Sequence, residues 1–280
     1  MNAVSGTPAW AVGPGRPSLR AQRIVADGAL AMALLAWIAS SAAGTRSDIA
    51  PDPARVLPLT GQLLFDPGLA RHTYVSLVRV VAAVAIAIVA GTGLMIAARF
   101  LRLTRILVAH RLLPILNAVP TVGWALLAVF WFGVNDVAVV FVIVAILLPF
   151  TMANVWAGLL TIDEDVYEMG RSFTRDRLRR LRFIVLPQIL PELVSSLRVS
   201  YGVGWKVGIV AEIFGVTSGL GYLMAYARTV FDTALLYAAI LVIILLVFVA
   251  DGLLFARLER LVTRHRADTA SSTFALEVPR

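Results

Sequence analysis

Six stretches of about 20 apolar residues leave few folds open to this chain. A helix needs roughly that length to cross the hydrocarbon core of a bilayer. The stretches run over residues 24–43, 75–98, 112–132, 137–160, 193–216 and 234–256. The third and fourth hold no charge, the first none after Asp27 and the second none from Val80 onward. The fifth carries Arg198, Lys206 and Glu212, and the sixth carries Asp251 near its end. Across all 280 residues only 15% are charged and 59% are hydrophobic, against about a quarter charged in a water-soluble domain. Too little charge is present to cover a surface in water, so the reading is an all-α membrane protein with about six transmembrane helices, not a soluble enzyme.

Cysteine is absent, which excludes a disulfide framework and a thiolate metal site. His72, His110 and His265 lie far apart without metal-ligand spacing and read as ordinary polar residues near the membrane boundaries. The net charge of +8 does not form a basic, aromatic-interleaved nucleic-acid module. Its arginines cluster between the apolar stretches, where they set orientation. The N-terminal tail, the second-to-third connection, the fourth-to-fifth connection and the C-terminal tail together hold 18 arginines. The opposite side holds four: Arg46, Arg55, Arg71 and Arg228. Both termini are therefore expected in the cytoplasm. Residues 1–23 and 267–280 read as disordered cytoplasmic tails around a membrane domain spanning 24–266. Residues 16–43 also fit a cleavable signal peptide, but the apolar run exceeds the usual length of one, which favours a retained helix. The outside segment 44–72 reads as an irregular, proline-containing connector with room for a short surface helix. Segment 217–232 reads as a second outside loop, with a tight turn at Gly219 and Gly221.

The longest cytoplasmic connection, residues 161–191, does not resemble a passive linker. Thr161 followed by Glu164 matches a capping box, and Asp163, Glu164 and Asp165 suit a helix N-terminus. A short helix is expected to run to about Phe173. Thr174 is expected to cap a second, in which Leu178, Leu181 and Val185 form an apolar stripe among Arg175, Arg177, Arg179, Arg180 and Arg182. Pro187 and Pro191 mark the start of the fifth span. Two arrangements fit this pattern: an arginine-rich helix lying on anionic lipid, or two short helices that protrude to a cytoplasmic partner.

The residues from Glu168 to Leu186-Pro187 resemble the EAA loop of permease subunits of bacterial ABC importers. In that family a Glu-Ala-Ala run is followed by a glycine and then by Leu-Pro eighteen and nineteen residues after the Glu. Leu186 and Pro187 stand at those distances from Glu168. Met169 and Gly170 replace the two alanines, and Thr174 stands where the loop glycine usually sits. Pro191 is similar to a second proline of the nitrate/sulfonate/taurine type. Further likenesses to that type are Ser76-Leu77-Val78-Arg79-Val80, Val119-Pro120 with Trp124, Trp131-Phe132-Gly133, Ala211-Glu212 and Ser218-Gly219-Leu220-Gly221-Tyr222. The resemblance covers roughly residues 74–264.

The resemblance implies a type I ABC importer permease (MetI-like) fold in a bacterial inner membrane. It implies a second permease copy as partner, cytoplasmic ABC ATPase subunits, and an extracytoplasmic substrate-binding protein. It also implies that Glu168, Gly170, Thr174, Arg175, Leu178, Leu186 and Pro187 couple to the ATPase. ATP and magnesium would then sit on the ATPase, with no cofactor on this chain, which has no phosphate-binding G-x-x-x-x-G-K-[ST] loop. The solute would be small, with nitrate, a sulfonate or taurine as examples. Charges inside a span normally face a bundle interior or a watery cavity. Lys206 and Glu212 are therefore candidates for a translocation path, with structural pairing as their other reading. Pro120 joins them because helix breaks at proline often line cavities, as does Trp124 nearby, with ordinary packing as its other reading. The rival class is a secondary transporter or channel without an ATPase. Its expected mark is a pair of inverted repeats, and no repeat between the two halves is visible.

Overall fold

The computed structural model describes Met32, Trp37 and residues 51–100, 113–162 and 164–262, with Phe100 and Glu164 described by their backbone. The expected first span, 24–43, lies outside the described residues apart from Met32 and Trp37, each helical. So do the tails expected to be disordered, together with His110 and His265. The chain forms two units, residues 1–55 and 56–280. In the first, the Trp37 indole N–H donates to the Pro51 carbonyl at 3.0 Å.

Among the described residues all regular structure is helical. Helix α1, Pro53–Phe65, is followed after one residue by α2, Pro67–Phe100. Within the described part of the expected connector, residues 51–72, the backbone is thus mostly helical, beyond the short helix allowed for there. Pro67 opens α2 at a position where a missing N–H costs nothing, and the Asp66 carboxylate accepts from the N–H groups of Gly68 (2.9 Å) and Leu69 (3.2 Å). At 34 residues α2 is about 51 Å long, well beyond the hydrocarbon thickness.

The expected third span is interrupted. Helix α3, Leu113–Ala118, stops before Pro120, and α4, Thr121–Phe132, starts after it. The ring of Pro120 disfavours helical geometry at Val119, so the proline breaks the segment instead of bending it. Helix α5, Asp136–Leu160, is continuous through Pro149 and is capped by the Asn135 side chain, which accepts from Ala138 N–H at 3.1 Å.

Helix α6, Glu164–Phe173, and the single turn α7, Arg177–Arg180, form the elbow. A π-helical turn, Leu181–Val185, joins α7 to α8, Leu186–Gly215, so helical backbone is unbroken from Arg177 to Gly215 over 39 residues. Pro187 stands in the first turn of α8, as expected for the entry to the fifth span, but the helical backbone already runs into it from the elbow. Proline lacks an N–H, and its ring crowds the preceding turn. The wider π turn immediately before Pro187 relieves that crowding. Helix α9, Leu220–Thr229, occupies much of the expected second outside loop. Helix α10, Thr233–Ala250, continues through a second π turn, Asp251–Phe255, to Val262. Four helices, Pro67–Arg99, Asp136–Leu160, Arg177–Gly215 and Thr233–Val262, are long and apolar enough to cross a membrane.

Helices α2, α5 and α8 form the centre of the bundle, with α4 packed on α5 and α8. Small residues set the spacing, as usual where helices pack in lipid. A Cβ on Gly204 would stand 3.2 Å from Val84, and one on Gly208 3.2 Å from Val80. Towards the elbow, Met95, Met152, Val155, Leu159, Val185 and Ile189 form a buried cluster.

Candidate functional site

The elbow gathers most residues expected to couple to an ATPase. Glu168 lies exposed on α6, and Arg175 and Leu178 are exposed beyond it. Gly170 is buried where α6 crosses the π turn, and a Cβ there would overlap Ile184. Only the tip of the flexible Ile184 side chain is in the way, so a larger residue here would ask that tip to turn aside. Leu186 is half-buried against the Met95–Met152 cluster, and Pro187 is exposed.

Two caps differ from the sequence expectation. Thr161 belongs to the end of α5, where its hydroxyl donates to the Gly158 carbonyl at 2.9 Å. The cap of α7 is Asp176, whose carboxylate accepts from Leu178 N–H at 2.9 Å, while the Thr174 hydroxyl accepts from Asp176 N–H at 3.2 Å. A carboxylate two residues later reaches the first turn of α7 better than the threonine does. The apolar stripe is also split. Val185 is buried and Leu181 packs beside it, but Leu178 remains 71% exposed.

Tyr167 locks the elbow to the bundle. The Arg99 guanidinium of α2 lies 5.1 Å from the centre of its ring and that of Arg180 lies 5.8 Å away, a cation–π arrangement. Between α6 and the π turn opens a groove of about 620 Å³, lined by Met169, Gly170, Phe173, Arg180, Phe183 and Ile184. Phe173 is 84% exposed and Phe183 70%. Large apolar side chains displayed beside arginines fit both surfaces expected for this segment, a cytoplasmic protein or anionic lipid.

At the Gly215 end of α8 lies a second constellation. Arg79 of α2 is 4% exposed and Glu212 of α8 only 2%. The Arg79 Nη1 donates to Glu212 Oε1 at 2.8 Å and to the Ser218 carbonyl at 2.7 Å, Nη2 donates to Ser218 Oγ at 2.9 Å, and Nε to Asp136 at 3.0 Å. The Ser76 hydroxyl donates to the Glu212 carboxylate at 2.8 Å. Three successive backbone N–H groups at the start of α9 are taken up by side chains. Gly219 donates to His72 Nδ1 at 3.1 Å, Leu220 to Ser76 Oγ at 2.8 Å and Gly221 to Glu212 Oε2 at 2.8 Å. These are groups that a helix start leaves without partners, and a carboxylate there also meets the positive end of the helix dipole. Gly219 adopts φ +113°, open to glycine and costly for other residues. The motif around Gly219 and Gly221 thus docks the start of α9 onto α2 and α8.

Of the residues expected along a passage, Lys206 and Pro120 are exposed, whereas Trp124 and Glu212 are interior. Trp124 packs edge-on against Phe141, with ring centres 5.9 Å apart. Glu212 is held by Arg79, which makes it a structural anchor. Sequence reasoning missed His72, Ser76 and Asp136 as partners. It also missed the pairing of Arg198 with Asp251 (2.8 Å) and Glu259 (3.0 Å) of the last helix. Asp136 had one local signal, as the sole acid at the head of a charge-free stretch.

The profile of the family described as "Binding-protein-dependent transport system inner membrane component" matches residues 83–264. The chain is 29% identical to the taurine transport system permease protein TauC of Escherichia coli K12 over 88% of this chain and 92% of the relative. It is 28% identical to the putative aliphatic sulfonates transport permease protein SsuC of Bacillus subtilis 168, over 69% of this chain and 70% of the relative. The riboflavin transport system permease protein RibX of Chloroflexus aurantiacus is similar at 30% identity, over 54% of this chain and 56% of the relative.

Proposed function

Because the chain belongs to the inner membrane components of binding-protein-dependent transport systems, and so is a membrane permease subunit of an ABC importer, we propose that its elbow receives the importer's ATPase. Such systems keep ATP hydrolysis on a separate subunit and use a substrate-binding protein. In our reading both termini are cytoplasmic, the elbow faces the cytosol, and the Arg79–Glu212 constellation faces the binding protein. Two copies form the passage, and ATP and magnesium reside on the ATPase. The solute is a small sulfonate-like compound, a reading supported by the names of TauC and SsuC.

The observation that carries this reading is the unbroken helix from Arg177 to Gly215. A push on the elbow by a closing ATPase is borne by a rod about 58 Å long. The far end of that rod holds Glu212 and, through it, the start of α9. Alternating access needs a binding-energy difference between two states, and this rod supplies a rigid path from ATPase to outer surface.

Charge reversal of the exposed Glu168 tests the coupling role. Glu168→Arg is expected to lower recovery of the ATPase with the tagged permease about tenfold, as for a rim charge turned against its partner. Permease yield and thermal midpoint should stay unchanged, because Glu168 is exposed. Undiminished recovery of the ATPase, or solute flux by the permease alone in liposomes, would overturn the assignment.

A further inference from the structure

Two sets of charges on the membrane-spanning helices are paired within the bundle. Arg79 is joined to Glu212 and Asp136, and Arg198 to Asp251 and Glu259. Lys206, the sole lysine of the sequence, is exposed and makes no hydrogen bond or ion pair among the described residues. It lies nine residues before the end of α8, or about 14 Å along the axis. That is near the middle of a 20-residue crossing ending at Gly215 and beyond the reach of its side chain to the helix end.

Helical phase adds a second observation. At 100° per residue Ser195, Val199, Gly202, Lys206 and Ile213 fall on one narrow face of α8. All five are exposed or half-exposed, and nothing lies within 4 Å of a Cβ built on Gly202. The opposite face, with Gly204, Gly208 and Glu212, is packed against α2, α5 and α9. An unpaired ammonium in mid-membrane is stable only against water or a counter-charge.

Resting on the permease reading, we propose that this face of α8 lines the solute passage, and that the Lys206 ammonium holds the anionic head of a small organic solute such as a sulfonate. The family reading does not choose a solute charge, since the similar permeases carry taurine, sulfonate and riboflavin in their names. Lys206 chooses it. A cation without a partner among the described residues, on a strip shared with Ser195, Val199, Gly202 and Ile213, attracts an anion from the receptor's mouth and repels a cation. Its single point charge, with no second fixed donor beside it on that face, lets the anion leave again.

The lack of cysteine makes the test direct. Val199→Cys, about two turns from Lys206, is prepared in the complete importer with ATPase and binding protein, in lipid vesicles. It is reacted with 2-sulfonatoethyl methanethiosulfonate, an anion, and with its trimethylammonium counterpart. Both reagents should modify the thiol, and the ratio of anionic to cationic rates should fall about tenfold when Lys206→Gln is added, as for one unit charge several ångströms away in a partly watery site. ATP-driven uptake of an alkanesulfonate carried by the wild type should fall with Lys206→Gln and persist with Lys206→Arg. A thiol inert to both reagents would place this face against lipid or the second copy and overturn the proposal. An unchanged rate ratio would overturn the anion site. Failure of the permease reading looks different: wild-type chain and ATPase would not assemble at all.

Discussion

Arg79→Met is expected to remove most folded permease from the membrane, while the double variant Arg79→Met/Glu212→Gln recovers it. Both side chains are almost wholly buried, and Arg79 ties three parts of the chain together: Glu212, Asp136 and Ser218. Its loss leaves the Glu212 carboxylate with the Ser76 hydroxyl and the Gly221 N–H as remaining donors. Breaking one side of a buried pair costs about 3–5 kcal/mol, because the surviving charge stays desolvated. That is a large fraction of the stability of an ordinary domain. Asp136 is unharmed, since its side chain is 72% exposed and water can replace the guanidinium. Glutamine at position 212 carries no charge and can still accept from Gly221 N–H. The two changes should therefore be strongly non-additive. Thermal midpoints and monodisperse yield of the three variants in lipid nanodiscs measure the cycle. A single Arg79→Met variant as stable as the wild type would refute the account.

The pieces of this constellation were legible in the sequence; their meeting was not. Ser76 and Arg79, Glu212, and the glycine pair at 219 and 221 each stood out locally. However, Ser76 and Glu212 are separated by 136 residues, and no periodicity says which two helices touch. Helical phase did say that Lys206 and Glu212, six residues apart, face differently. The structure shows one exposed and one buried. Membrane spans were readable because length and apolarity alone define them. Their ends were not, because the helices project past the hydrocarbon, as α2 does from Pro67 and α8 does through Arg177. Proline acts in two ways. At Pro120 it breaks the third stretch outright, and at Pro187 it stands in the first turn of α8 behind a π turn that joins it to the elbow. A local rule gives the strain of a proline but not which neighbour relieves it.

The rod from Arg177 to Gly215 is useful only if its far end is fastened to something, and Gly221→Ala should unfasten it. A Cβ at this position would stand 2.6 Å from the Ile209 carbonyl oxygen and 2.7 Å from Glu212 Cβ. Neither atom is the tip of a flexible side chain, so α9 would have to withdraw from α8. Overpacking of this kind costs about 1–3 kcal/mol. Withdrawal also lengthens the bonds from Gly219, Leu220 and Gly221 to His72, Ser76 and Glu212, each worth about 1 kcal/mol. The combined loss should be about 3 kcal/mol, seen as a lowered thermal midpoint and as uptake that no longer follows ATP hydrolysis. Gly61→Ala in α1 is the control, because nothing lies within 4 Å of a Cβ built there. It should be neutral or stabilising by up to about 1 kcal/mol, through the reduced freedom of the unfolded chain. Two methyl groups added to one protein would then differ in effect because one meets backbone and the other meets open space. If both variants matched the wild type in midpoint and coupling, α9 could not be the fastening of the rod.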